Sequence, residues 1–184
     1  MKSINLIILC LLTTLNLSAQ EFLQSRNNFK IENWKFHKGD ILGADAAGEA
    51  SGDKWTSVTV PHTWNAEDVF TQGSSYYQGV GWYRSTFTVE QTKKESRFFI
   101  RFEGVSMVAD VFLNGTYIGS HKGGYSAFIF EVTDLVKNGR ANYLAVKADN
   151  STQVDVAPSA TTLYPLFGGI YRPVTIFSTS DVNI

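Results

Sequence analysis

The feature that most constrains this chain is a two-residue alternation of apolar and polar side chains, repeated in short runs and broken by glycine and asparagine. Residues 97–103 show it best: Phe98, Ile100 and Phe102 fall on one side of an extended chain, and Phe99, Arg101 and Glu103 on the other. That period belongs to a strand with one buried face. Residues 142–149 repeat it, which predicts Leu144, Val146 and Ala148 inward and Tyr143, Ala145 and Lys147 outward. Further strands are predicted over 55–60, 82–89, 107–113, 117–118, 127–132 and 174–177. Asn114-Gly115 separates two of these runs and is the strongest short hairpin signal; Gly123-Gly124 and Asn138-Gly139 mark further turns. No segment keeps a helical period for three turns, although 133–137 could form a single one. Roughly eight short strands with regular turns predict an all-β, antiparallel β-sandwich. Residues 38–52, rich in Gly, Ala and Asp and without a period, read as an irregular loop.

Composition narrows the function classes. The formal net charge is −1, which argues against a protein held to nucleic acid by phosphate contacts. Apolar residues make up 43% of the chain, too many for disorder. One cysteine, Cys10, supports neither a disulfide framework nor a cysteine metal site. Residues 1–19 combine Lys2, an apolar run from Ile4 to Leu12 and a small-residue end at Ser18-Ala19, the pattern of a secretory signal peptide. The run is short for a membrane span. The expectation is export to a bacterial periplasm or beyond the cell, with no membrane span after cleavage. Residues 20–28 then form a lead-in, 29–178 one domain, and 179–184 an exit toward a second domain.

A search for catalytic chemistry returns little. Gly48-Glu49-Ala50-Ser51-Gly52 is not a nucleophile elbow, and no two of His37, His62 and His121 stand four residues apart. Gly79-Val80-Gly81 lacks the third glycine of a dinucleotide loop and enters a strand. The carboxylates Asp68, Glu103, Asp110, Asp134, Asp149 and Asp155 are weighed as glycosidase pairs, but most read as turn or strand-face residues. Asp40, Asp45, Glu49 and Asp53 could offer oxygen to calcium, yet their spacing fits a solvated loop better. No metal or cofactor is therefore assigned. Trp64, Tyr76, Tyr77, Trp82, Tyr83, Tyr125 and Tyr164 stand beside polar residues at strand ends or in loops. Two readings stay open for these rings: a sugar-facing surface, or core and edge packing.

Six segments in order carry a resemblance. They contain Pro61-His62-Thr63-Trp64-Asn65, Gly81-Trp82-Tyr83-Arg84, Phe102-Glu103-Gly104-Val105, Phe112-Leu113-Asn114-Gly115, Gly123-Gly124-Tyr125 and Gly168-Gly169-Ile170-Tyr171-Arg172. Together they resemble the N-terminal domain of glycoside hydrolase family 2, closest in form to β-galactosidase-like members from Bacteroidetes. The resemblance implies a jelly-roll, galactose-binding-domain-like sandwich. It also implies partners: an immunoglobulin-like domain and a (β/α)₈ barrel that carries both catalytic glutamates, and a carbohydrate substrate. The Asn-Glu pair that holds the family's acid/base occurs nowhere in this sequence, so no catalytic residue is assigned.

What the resemblance leaves to this domain is a wall of the sugar pocket, built by residues 65–78 and 150–166. Asn65, Asp68, Tyr77, Gln78 and Asn150 are the candidate contacts. His62, Trp64, Trp82, Arg84, Asn114, Gly115, Gly124, Tyr125, Gly168, Gly169, Tyr171 and Arg172 are read as structural, with Arg172 in a buried ion pair with Glu103. The implied function is a non-catalytic domain of an exported retaining β-glycosidase, expected to be a β-galactosidase. Metal ions, where needed, would belong to the parent enzyme. An independent carbohydrate-binding module and a structural interdomain module are the alternatives.

Overall fold

A computed structural model describes residues 28–48, 54–68, 76–90, 96–156 and 167–180. Ten strands follow one another: β1 (Asn28–Lys30), β2 (Trp34–Lys38), β3 (Thr56–Val58), β4 (Val80–Thr88), β5 (Ser96–Phe102), β6 (Val108–Leu113), β7 (Thr116–Lys122), β8 (Phe128–Glu131), β9 (Ala141–Asp149) and β10 (Val174–Ser180). They form a four-stranded sheet, ordered β1-β10-β5-β8, and a six-stranded sheet, ordered β3-β2-β4-β9-β6-β7. Every paired strand is antiparallel to its neighbour. No helix occurs among the described residues. The predicted antiparallel sandwich is the fold.

The alternation read from the sequence sets which faces meet. Ile100 and Phe102 of β5 and Ile176 of β10 are fully buried, as are Tyr83 of β4, Leu113 of β6 and Leu144 and Val146 of β9. These residues from both sheets belong to one apolar cluster. Each large side chain removed from water contributes about 1.5–3 kcal/mol. Phe102 stacks on Phe128 at 4.8 Å, so the aromatic content largely fills the interior. Asn114 and Gly115 take φ of 54° and 84°, the left-handed pair that a tight turn between β6 and β7 requires.

Two expectations change. Strands β1 and β2 were not predicted, although Trp34 and Phe36 alternate with Lys35 and His37 as the rule demands; the run is short and two-fifths lysine. Ala145 is buried, not outward-facing. The reason is the irregular loop over 39–48, which lies on the outside of the six-stranded sheet and makes a second small cluster there of Ala44, Trp82 and Ala145. Arg84 anchors that loop by donating to the carbonyls of Ala46 (2.6 Å) and Gly48. The 133–137 stretch holds the single turn that the sequence allowed, closed by the Leu135 and Val136 amides on the Val132 carbonyl at 3.0 Å each.

Candidate functional site

Strand β4 begins where β9 ends, at one end of the sandwich, with Val80 opposite Asp149. Asn150 leaves β9 there, and its backbone N–H meets the Gly79 carbonyl at 3.1 Å. The segment after β3 arrives at the same place, tied down by the His62 amide on the Ile170 carbonyl at 2.8 Å. Four of the five candidate contacts therefore meet although they lie far apart in sequence. Asn65 and Asn150 are fully buried. The Asn65 amide donates to Asp68 Oδ2 at 2.7 Å and to the Tyr77 carbonyl at 2.9 Å. Its Oδ1 accepts the Gly168 N–H at 2.8 Å and the Asn150 amide at 3.3 Å. Asn150 Oδ1 in turn accepts the Gly79 N–H at 2.8 Å. Each bond matters because a buried polar group left unpaired costs about 1–3 kcal/mol.

This network assigns distinct roles to the five residues. Asn65 and Asn150 point inward and stitch the β3–β4 and β9–β10 connections together. Asp68 is partly exposed, and its carboxyl is held below the usual carboxylate range, first by the Tyr77 N–H at 3.1 Å and then by the Asn65 amide. A carboxylate so held accepts hydrogen bonds and does not deliver a proton near neutral pH. Tyr77 is half-buried, with its hydroxyl on the Val80 carbonyl at 2.9 Å and Lys38 Nζ 4.7 Å from its ring centre. Gln78 alone is exposed.

Behind the network stands an aromatic wall. Trp64 stacks on Phe36 at 5.7 Å and meets Tyr77 edge-on at 6.2 Å. His62 Nδ1 lies 2.7 Å from the Tyr83 hydroxyl, and burial lowers the histidine pKa. Gly168 lies so close that an added Cβ would sit 1.9 Å from the Trp64 ring. Among the described residues, Trp64 Nε1 is buried without a hydrogen-bond partner, and Tyr76 Oη is buried without a hydrogen bond of good geometry. Burial, with the Asp68 charge behind it, pushes the Tyr76 pKa up to about 12, while the Asn150 amide pulls it back. The Tyr76 ring meets Phe167 edge-on at 6.4 Å.

The remaining motif residues separate. Trp82 and Arg84 serve the outer loop, and Asn114 and Gly115 serve the hairpin at the far end. The Gly124 carbonyl accepts the Tyr171 hydroxyl, and Tyr125 is exposed. Arg172 departs from expectation: it is exposed and lies over the Tyr171 ring at 5.6 Å. Glu103 pairs instead with Arg101 at 2.9 Å, because both project from the same outer sheet face. Asp40 is taken up by Trp82 Nε1 at 2.7 Å and Lys147 at 3.3 Å, and among the described residues no three acidic, His or Cys side chains gather as a metal site. Glu49, Asp53, Tyr164, the 1–19 segment and the 181–184 exit lie outside the described residues. Sequence reasoning missed Thr63, whose hydroxyl accepts the Asn65 N–H at 3.2 Å, and left Tyr76 open between a sugar-facing and a packing role. A threonine two residues before a buried asparagine is a turn signal that could have found the first.

An antiparallel sandwich with loops tied at one end is a common frame, so relatives decide its class. Residues 44–180 match the family model described as glycosyl hydrolases family 2, sugar binding domain. The chain belongs to that family. It is 38% identical over 183 residues to a beta-glucuronidase of Bacteroides fragilis, covering 100% of this chain and 24% of the relative. It is 35% identical over 168 residues to a beta-galactosidase of Bacteroides ovatus, covering 88% of this chain and 19% of the relative. Among solved structures, a Bacteroides uniformis beta-glucuronidase superposes with a TM-score of 0.74 at 37% identity, over 83% of this chain and 18% of that one. The chain thus spans about a fifth to a quarter of these relatives.

Proposed function

We propose that this chain is the non-catalytic N-terminal domain of an exported, retaining β-glycosidase that acts on β-galactosides or β-glucuronides. The observation that carries the reading is the buried Asn65–Asp68–Tyr77–Asn150–Gly168 network. It fixes the two connections β3–β4 and β9–β10 to each other at one end of the sandwich and leaves Gln78 and the Asp68 carboxylate at its outer rim. A wall of this kind suits a pocket that receives sugar hydroxyls, because a rigid rim loses little entropy on binding. The hydrolytic step, in this reading, belongs to two carboxylates about 5–5.5 Å apart on a following (β/α)₈ barrel. An immunoglobulin-like domain joins the two. Export rests on the signal pattern over 1–19.

The test has two arms. The 184-residue chain is assayed alone with nitrophenyl β-galactoside and nitrophenyl β-glucuronide. No release is expected from either; release that falls in Asp68→Asn would overturn the non-catalytic reading. In the second arm the chain replaces the matching segment of the Bacteroides fragilis relative. A chimera with activity, whose KM rises in Gln78→Ala while kcat holds, supports the pocket-wall role. An unchanged KM would remove it.

A further inference from the structure

The outer face of the six-stranded sheet carries a depression that the loop-end network does not use. Asp40, Ile41, Leu42, Asp45, Asp110 and Lys147 line it together with Trp82 and Phe112, around a volume of about 540 Å³. Three rings cross its floor and edge in a row: Trp82 lies 5.8 Å from Phe112, and Phe112 lies 5.3 Å from Tyr117. The first ring is fixed. Its Nε1 donates to Asp40 at 2.7 Å, and Lys147 Nζ stands 5.8 Å from its centre. The last ring is open to solvent, with Tyr117 at 54% exposure on an edge strand. Leu42 stands fully exposed on the rim.

The polar groups beside this strip are unevenly occupied. Asp110 faces Lys147 in register across β6 and β9. Lys147 nevertheless reaches past it to Asp40 at 3.3 Å. Among the described residues, the Asp110 side chain therefore carries neither a hydrogen bond nor an ion pair. A half-buried strand carboxylate beside a solvent-facing ring offers two strong acceptor oxygens at a fixed place. Three aspartates line the depression against Lys147, and the Arg84 charge acts on Asp45 from beside it, which leaves a small net negative charge.

We propose that this strip binds a neutral oligosaccharide. Tyr117 and Phe112 cover the apolar C–H face of a pyranose, the Asp110 carboxylate accepts from its hydroxyls, and Lys147 donates to one. Uronic acids are refused by the surrounding carboxylates. The inference stands apart from the glycosidase reading, since it needs neither the loop end nor any further domain.

The experiment is a titration of the full 184-residue chain, followed through its backbone amide spectrum, with cellotetraose and β-1,4-galactotetraose. Trigalacturonate is the acidic control. Shifts at residues 41–45, 110–117 and 147 with a neutral sugar, and none with the acidic one, are expected. Tyr117→Ala should weaken binding roughly fivefold. Asp110→Asn should weaken it roughly tenfold while keeping the side-chain shape. Because both side chains are solvent-facing, the amide spectrum of each variant reports a kept fold. Absence of shifts with both neutral sugars overturns the proposal. So do shifts confined to Tyr77, Gln78, Gly79 and Asn150, equal binding of trigalacturonate, or binding that survives both substitutions.

Discussion

Both ends of the sandwich are closed by a pair of asparagines, yet the two pairs do different work. At one end Asn142 is fully buried and makes four bonds of 2.7–3.1 Å, to Asn114, to both backbone groups of Lys137 and to the Arg140 carbonyl. Asn114 completes the set with the Leu135 carbonyl at 2.8 Å and the Tyr143 amide at 3.0 Å. Every partner is backbone or the other asparagine. At the opposite end the Asn65–Asn150 contact is longer, 3.3 Å, a carboxylate joins the network, and Trp64 Nε1 is buried with no partner among the described residues. The same residue type thus saturates a fold at one end and supports a polar rim at the other. Buried polar atoms without partners are rare enough that their place in a molecule marks it for attention.

The largest expected effect tests how rigid the rim end is. Gly169 has φ of 123°, and an added Cβ would lie 2.5 Å from the His62 carbonyl oxygen. Gly169→Ala should cost at least about 3 kcal/mol in urea unfolding, from backbone strain and the clash together. A loss under about 1 kcal/mol would mean that this end yields easily and cannot serve as a fixed wall.

The asparagines give the next two effects. Asn142→Ala removes four hydrogen bonds of a fully buried side chain at once, so it should destabilise by about 3 kcal/mol. Asn150→Ala loses one strong bond and weaker ones, which sets its cost nearer about 1–2 kcal/mol. Equal costs in the same denaturation series would erase the difference between the ends.

The smallest effect is a pH dependence. Burial lowers the His62 pKa below its unfolded value. The unfolded chain therefore binds the proton more readily. The stability linked to His62 is fully present above about pH 6.5 and is lost as pH falls below it. Unfolding midpoints measured between neutral and mildly acidic pH should show this slope, and His62→Gln should flatten it. An unchanged slope in the variant would assign the acid sensitivity to other groups.

Much of the fold was legible in the residues. The alternation in 97–103 and 142–149 placed Phe98, Ile100, Phe102, Leu144, Val146 and Ala148 inside, and all six are buried. Ala145 was misplaced because its burial comes from a loop about a hundred residues away, which no local period encodes. Strand β2 was overlooked because two lysines and a histidine hide its two buried aromatics. The candidate site was legible as a set of residue types but not as a geometry. Asn65, Asp68, Tyr77 and Asn150 do come together, yet only Asp68 and Gln78 of the five present polar side-chain groups at the rim.

The sequence by itself determined that this chain makes short antiparallel strands, turns at Asn114-Gly115, and carries six segments of one glycosidase family. Those properties are local or ordered along the chain, so they survive reading residue by residue. Tertiary structure alone decided which asparagines face inward, which arginine is buried, and that Asp110 carries no hydrogen bond or ion pair among the described residues. Arg84 is buried because a loop folds over it, whereas Arg172 stays exposed. Asp110 is left over because Lys147 finds Asp40 first, across 107 residues of chain. Such choices depend on what long-range packing brings within about 3 Å, the range over which a hydrogen bond forms.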